Sequence, residues 1–94
     1  MPVNLIDRQQ APSLRRGLRL HWEPRKQCHV LLYPEGMIKL NASAGLVLEL
    51  LDGQRSVGAI IDHLAERFPG VPGLDEDVLA FLEVARGKYW IVCA

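Results

Sequence analysis

The chain has 94 residues, of which 49% are hydrophobic, and its formal net charge is zero. This length predicts one domain with a single core, and the hydrophobic share excludes a chain that is disordered throughout. The charge is uneven, because residues 1–26 hold six basic and two acidic residues while residues 27–94 hold five basic and nine acidic ones. Such a dipolar chain favours a protein partner over a polyanion.

The sequence carries no sign of export or of a membrane anchor. Residues 1–7 lack the apolar segment of a signal peptide, and no apolar run approaches the ~20 residues that cross a bilayer. Cys28 and Cys93 lie far apart in sequence. A disulfide between them is possible, but two reduced thiols in a cytoplasmic protein are favoured. We therefore expect a cytoplasmic protein.

The first half of the chain predicts an arm followed by three strands. Residues 1–13 show no sustained pattern and are predicted to be a flexible arm, which leaves one domain over residues 14–94. Hydrophobic residues alternate over residues 18–23, which predicts a half-buried strand. Residues 28–33 are more apolar and predict a central strand. Residues 37–41 form a third strand, and the short links favour an antiparallel meander that leaves this strand as an open edge.

The hydrophobic period becomes helical after the third strand. A first helix is predicted over residues 42–51, with Asn41 or Ser43 accepting the free N–H groups of its first turn. Gly53 is expected in the left-handed conformation that closes this helix. Ser56 follows after three residues as the cap of a second helix. So short a link between two helices is typical of a winged helix-turn-helix unit.

The remaining residues complete a three-helix unit. Apolar residues from Val57 to Phe68 recur at spacings of three and four and define one buried stripe. A third helix is predicted to begin with Asp75 as its cap and to be broken at Gly87, and residues 89–93 read as a short terminal strand or docked tail. The predicted class is therefore α+β, a three-stranded antiparallel sheet followed by a three-helix winged helix-turn-helix-like unit.

The sequence contains no residue pattern that is typical of a catalytic or metal-binding site. His21, His29 and His63 are isolated, and adjacent residues on a strand, such as Cys28 and His29, point to opposite faces. The acidic run at residues 75–77 complements the dipole at a helix start. No phosphate-binding loop follows a strand. We expect a protein that is not an enzyme and that holds neither a metal nor a cofactor.

A winged-helix transcriptional regulator that binds DNA is the alternative from another class. A recognition helix presents cationic or polar donors near its N-terminus to the major groove. The third predicted helix instead opens with three acidic residues, and its cations, Arg86 and Lys88, lie at or beyond the far end. The sequence therefore argues against nucleic acid as the partner.

Several motifs carry a family resemblance. It rests first on the segment Leu14-Arg15-Arg16-Gly17-Leu18-Arg19-Leu20-His21-Trp22 and on the later Pro34-Glu35-Gly36. It rests also on the shorter motifs Leu40-Asn41, Leu51-Asp52-Gly53, Ser56-Val57 and Asp77-Val78-Leu79. Together they resemble coenzyme PQQ synthesis protein D over residues 14–92. One departure from the family pattern is the bulky pair Tyr89-Trp90, where smaller aliphatic residues are expected.

The resemblance implies a carrier without turnover. Such a protein is expected to bind the precursor peptide of pyrroloquinoline quinone biosynthesis and to present it to the radical S-adenosylmethionine enzyme of that pathway. The quinone is then a downstream product and not a cofactor of this chain. The resemblance also implies that the peptide lies as an added strand on the third strand, in the groove against the third helix.

The residues themselves suggest a compatible site. An open edge strand offers unpaired N–H and C=O groups for strand addition. Ile38 and Leu40 are predicted to face the core, and Leu79 lies beside the buried stripe of the third helix. The candidate peptide-binding residues are Met37, Ile38, Lys39, Leu40 and Asn41 on the strand and Leu79, Leu82, Glu83 and Arg86 on the helix. For Leu82 a core position, and for Lys39 protection of the edge against aggregation, remain alternatives.

The oligomeric state stays open at this point. The apolar residues Val3, Leu5 and Ile6 of the predicted arm can pack on their own domain or on that of a neighbour, so a homodimer is possible.

Overall fold

The computed structural model describes residues 6–93, and two antiparallel sheets and three helices make up its fold. In chain order the elements are β1 (Pro12–Leu14), β2 (Arg19–Glu23), β3 (Cys28–Tyr33), β4 (Gly36–Lys39), α1 (Ala42–Glu49), α2 (Val57–Arg67), α3 (Leu74–Gly87) and β5 (Ile91–Cys93). Strands β2, β3 and β4 pair in that order, and β1 pairs with β5. The predicted α+β class, with a three-stranded antiparallel sheet followed by three helices, is confirmed.

One face of the three-stranded sheet is buried against the helices. Leu31 in the central strand β3 is fully buried and stands opposite Leu20 of β2 and Ile38 of β4, so the three side chains share that face. Leu40, just after β4, is also buried. The prediction that Ile38 and Leu40 face the core is confirmed, since Ile38 is partly buried and packs on the same cluster.

A close approach between β3 and α1 sets the position of α1 on the sheet. A Cβ atom added at Gly45 would lie 2.4 Å from Nδ1 of His29, which is closer than any side chain allows. The His29 ring is also 5.0 Å from the ring of Trp22, edge to face, and its Nε2 lies 3.5 Å from a carboxylate oxygen of Glu49. Glycine at position 45 therefore lets the imidazole fill the space between sheet and helix.

The start of α1 agrees with the sequence and its end does not. Oδ1 of Asn41 accepts from the N–H of Ala44 at 2.8 Å, which selects Asn41 over Ser43 as the cap. The helix closes at Leu50, so the role expected of Gly53 was wrong. Gly53 is left-handed, at φ 77°, but its N–H donates to the carbonyl of Pro12 at 3.0 Å.

The turn between α1 and α2 is held by an aspartate. Oδ1 of Asp52 accepts from the backbone N–H groups of Arg55 at 2.7 Å and Gln54 at 2.9 Å. The bond from Arg55 is the largest contribution that holds the pKa of Asp52 below its usual value, and the bond from Gln54 is the next. Both bonds lower the pKa because they stabilise the charged form. The cap of α2 is Ser56, as predicted, since its side chain accepts from the N–H of Ala59.

The start of α3 corrects a second cap. Gly73, at φ 71°, occupies the position before the helix and makes no side-chain cap, so the prediction of Asp75 was wrong. Asp75 lies in the first turn with Glu76 and Asp77, where negative charge is favourable. A guanidinium of Arg8 donates to Asp75 at 3.0 Å and, as the largest cause, lowers its pKa.

Residues 6–13 correct the prediction of a flexible arm. The carbonyls of Arg8 and Gln10 accept from the first N–H groups of α2, at 2.9 Å each, and β1 pairs with β5. Ile6 is buried, and its N–H donates to Glu83 at 2.8 Å. The sequence does not reveal these contacts, because the segment is short and is held in place mainly by hydrogen bonds of its backbone. Val3 and Leu5 lie outside the described residues.

Candidate functional site

The free side of β4 presents a row of backbone groups. Among the described residues, β4 pairs with β3 alone, with Met37 opposite Leu32 and Lys39 opposite Val30. The N–H of Leu40 donates inward to the carbonyl of His29 at 3.0 Å. Because backbone groups alternate along a strand, the N–H and C=O groups of Met37 and Lys39 point outward. This strand is the open edge that the sequence predicted.

A cavity of about 480 Å³ begins where β4 ends. It lies between the start of α1, the end of α2 and the first half of α3, and ten of its thirteen lining residues are apolar. The lining residues are Asn41, Ala42, Ser43, Ala44, Leu46, Val47, Leu64, Phe68, Val71, Leu74, Asp77, Val78 and Phe81. A chain that ran along β4 past Asn41 would therefore meet an apolar cavity with polar groups at Asn41, Ser43 and Asp77.

Helix α3 turns only one of its flanks toward this cavity. Its buried stripe contains Val78, Leu82 and Ala85. At about 100° per residue, Phe81 and Leu79 lie on opposite sides of that stripe. The cavity is lined by Phe81, and Leu79 is not among its lining residues.

The opposite flank of α3 faces the N-terminal segment. Glu83 accepts from the N–H of Ile6 and forms a short ion pair with Arg86 at 2.5 Å, which occupies both charged groups. Leu82 is fully buried, so the core position considered for it is what the structure shows. None of the four helix residues predicted from the sequence lines the cavity, and of the five strand residues only Asn41 does.

The sequence contained a signal for the flank of α3 that lines the cavity. Leu74, Asp77, Phe81 and Val84 recur at spacings of three and four on α3, and Val84 is 52% exposed. Phe81 also packs against the core, so the helical pattern alone does not separate this second stripe from the buried one. Phe68 and Val71, which complete the cavity, are also exposed apolar residues. Phe68 continues the predicted stripe of α2, but it is the residue that caps the helix and is 38% exposed, so its expected burial was wrong. Val71 lies beyond the end of α2 and follows no helical period.

The titratable side chains do not form a metal-binding cluster in the part of the chain that the structure describes. Within residues 6–93, no group of three His, Cys, Asp or Glu residues is placed to hold a metal ion. Cys28 and Cys93 are free thiols, and burial raises the pKa of Cys93. No helix among these residues is both long and apolar enough to span a bilayer.

Comparison with known proteins decides the family. The family model for coenzyme PQQ synthesis protein D matches residues 28–91. The chain belongs to the PqqD family. A relative in Pseudomonas putida strain KT2440, named PqqA binding protein 2, is 74% identical over 95% of this chain and 99% of its own length. The PqqA binding protein of Pseudomonas aeruginosa strain PAO1 is 60% identical over 95% of this chain and 97% of its own length.

A solved PqqD structure has the same fold. The solution NMR structure of the PqqD truncation of Methylobacterium extorquens PqqCD matches with a TM-score of 0.78 at 30% identity, over 98% of this chain and 99% of that one. That protein is described as a functional, stand-alone recognition element for ribosomally synthesized and post-translationally modified peptides. The similarity therefore extends from sequence to the arrangement of the sheet and the helices.

Proposed function

We propose that this protein is a non-catalytic carrier that binds the precursor peptide of pyrroloquinoline quinone biosynthesis. The observation that carries the proposal is the open edge of β4 leading into an apolar cavity, in a chain that is 74% identical to a PqqA binding protein. An edge strand with outward backbone groups can accept a guest strand of many sequences, and a cavity beside it can select one side chain.

In this proposal the peptide adds as a strand to β4. Met37 and Lys39 each offer one N–H and one C=O group, which allows four hydrogen bonds. At about 1 kcal/mol net for each bond they supply about 4 kcal/mol, which alone corresponds to a Kd of about 1 mM. A useful carrier therefore also needs apolar contacts, and one buried side chain in the cavity adds about 1.5–3 kcal/mol.

Two proposals differ about which flank of α3 contacts the peptide. The residues Leu79, Leu82, Glu83 and Arg86 remain the flank proposed from the sequence. The cavity instead favours the flank that carries Asp77 and Phe81, because these residues share it with Asn41 at the end of β4. We propose that the peptide contacts this second flank.

The proposal extends to a second partner. A carrier that performs no chemistry must deliver its peptide, and the radical S-adenosylmethionine enzyme of the pathway is the proposed recipient. A cytoplasmic location for this exchange is supported by the two free thiols, which a reducing compartment preserves. A homodimer through the predicted arm has less support, because Ile6 is already buried against its own domain and so leaves less apolar surface for a second copy.

The comparisons give no support to the DNA-binding alternative. The acidic first turn of α3, with Asp75, Glu76 and Asp77, lies where a recognition helix would meet the phosphates. We propose that nucleic acid is not a partner.

Calorimetric titration of the protein with the synthetic precursor peptide tests the proposal. The wild-type protein is expected to bind one peptide per chain, and no saturable heat would overturn the proposed function. Phe81→Asp and Leu79→Asp form a matched pair, since each places one negative charge on one flank of α3. Loss of binding in Phe81→Asp alone supports the cavity, whereas loss in Leu79→Asp alone supports the flank proposed from the sequence.

A further inference from the structure

The C-terminal end of α3 is closed by a tyrosine in a position that favours glycine. The N–H of Trp90 donates to the carbonyl of Ala85 and that of Tyr89 to the carbonyl of Arg86, both at 3.0 Å. These two bonds form a Schellman motif, in which the residue after the cap is left-handed. That residue is Tyr89, at φ 62°. A residue with a Cβ atom is strained there, and glycine is not.

The Tyr89 side chain buries little surface in the fold that could offset this strain. Its side chain is 70% exposed, the largest exposure among the exposed large hydrophobic residues of the described chain. An aromatic ring that contributes so little burial at a strained position points to a role outside the folded domain. Exposed tyrosines of this kind are typical of the centres of protein interfaces.

Arg15 is held against the same tyrosine. Its Nε donates to the carbonyl of Tyr89 at 3.0 Å, and its guanidinium carbon lies 5.3 Å from the centre of the tyrosine ring. The backbone N–H of Arg15 also donates to the carbonyl of Trp90 at 2.9 Å. The guanidinium is thus fixed in place before any partner arrives, so less side-chain entropy is lost on binding.

Two further cations, Arg16 and Lys88, lie next to Arg15 and Tyr89 in sequence. Both are exposed, and the Lys88 ammonium lies 5.6 Å from the centre of the Trp90 ring. None of Arg15, Arg16 and Lys88 has an ion pair with an acidic side chain within residues 6–93. The partner that complements one fixed guanidinium on an exposed aromatic ring, with two further exposed cations next to it in sequence, is an acidic protein surface.

We propose that Arg15, Arg16, Lys88 and Tyr89 form a docking surface for an acidic patch on the enzyme that receives the peptide. This inference rests on the proposed function. The surface shares no residue with the cavity beside β4, so it stays open while the peptide is bound. A carrier with two separate surfaces can hold the peptide and the enzyme at once. A protein is favoured over nucleic acid because one cation is held on an exposed aromatic ring and the cations do not follow a helix or groove.

Tyr89→Gly separates this role from folding. Glycine removes the exposed ring and relieves the left-handed strain, so the thermal unfolding temperature is expected to stay within a few degrees of wild type or to rise. Arg15→Gln removes the charge and keeps a polar side chain of similar reach. Each variant is titrated by calorimetry with the precursor peptide and, separately, with the purified radical S-adenosylmethionine enzyme.

The inference predicts that peptide affinity is unchanged while enzyme affinity falls at least about tenfold in each variant. Wild-type enzyme affinity is also expected to fall as salt rises, and less steeply in Arg15→Gln. Normal enzyme binding by both variants, or loss of peptide binding in either, overturns the inference and leaves the carrier function intact. If the wild-type protein binds duplex DNA in a salt-sensitive way and Tyr89→Gly abolishes that binding, the surface belongs to nucleic acid. That result also overturns the inference. A wild-type protein that binds no peptide overturns the proposed function itself.

Discussion

Proline substitutions on adjacent residues of β4 separate guest binding from folding. In Lys39→Pro the lost N–H points away from the sheet, and an edge strand tolerates proline there. The variant loses one hydrogen bond to a guest strand, worth about 0.5–1.5 kcal/mol, so the Kd for the peptide should rise about 2- to 12-fold. In Leu40→Pro the lost N–H is the one that donates to His29 at 3.0 Å, and Leu40 is buried. This variant should lose stability by about 2–5 kcal/mol, because it loses a ladder hydrogen bond and the close packing of a buried leucine side chain.

Calorimetry with the precursor peptide and thermal unfolding measure the two effects separately. Lys39→Ala is the control, because it removes the ammonium group and keeps the N–H. Binding in Lys39→Ala should therefore exceed binding in Lys39→Pro if the backbone donor matters. Equal peptide affinity in these two variants, with both folded, would refute strand addition at this residue.

Three further predictions concern the scaffold. Gly45→Ala should lower the free energy of unfolding by about 1–3 kcal/mol, because its Cβ would lie 2.4 Å from Nδ1 of His29; an unchanged thermal midpoint would contradict this. The depressed pKa of Asp52 contributes stability above the pKa of the unfolded chain, and this is lost as pH falls through the folded pKa. Asp52→Asn should therefore show a smaller loss of unfolding temperature on acidification than wild type, and an equal loss would speak against the turn. Replacing Cys28 and Cys93 by Ser should leave peptide affinity unchanged, and a large loss in folded protein would point to a role for the thiols.

The elements that could be predicted were those with a long hydrophobic period or a clear cap. The alternation in β2 and β3 and the stripe of α2 come from repeated burial of one face, and Asn41 and Ser56 carry side chains that accept helical N–H groups. Strand β1 could not be predicted, because three residues are too few to show a period and their partner, β5, lies at the other end of the chain.

The site could be predicted only in part for a similar reason. The open edge of β4 follows from the order of short-linked strands. The flank of α3 that lines the cavity depends on how α1 and α2 sit against it, and a helical pattern alone does not distinguish Phe81 from Leu79. The role of Gly73 as the residue before α3 was missed because a glycine cap uses backbone conformation and no side-chain acceptor.

Amide hydrogen exchange measured residue by residue, with and without saturating precursor peptide, tests the central claim most directly. In the free protein the outward N–H groups of Met37 and Lys39 should exchange quickly, and the inward N–H of Leu40 slowly. Strand addition predicts that the peptide slows exchange at Met37 and Lys39 and leaves Leu40 nearly unchanged. Slowing confined to α1 or to the N-terminal segment, with Met37 and Lys39 still exchanging quickly, would contradict it.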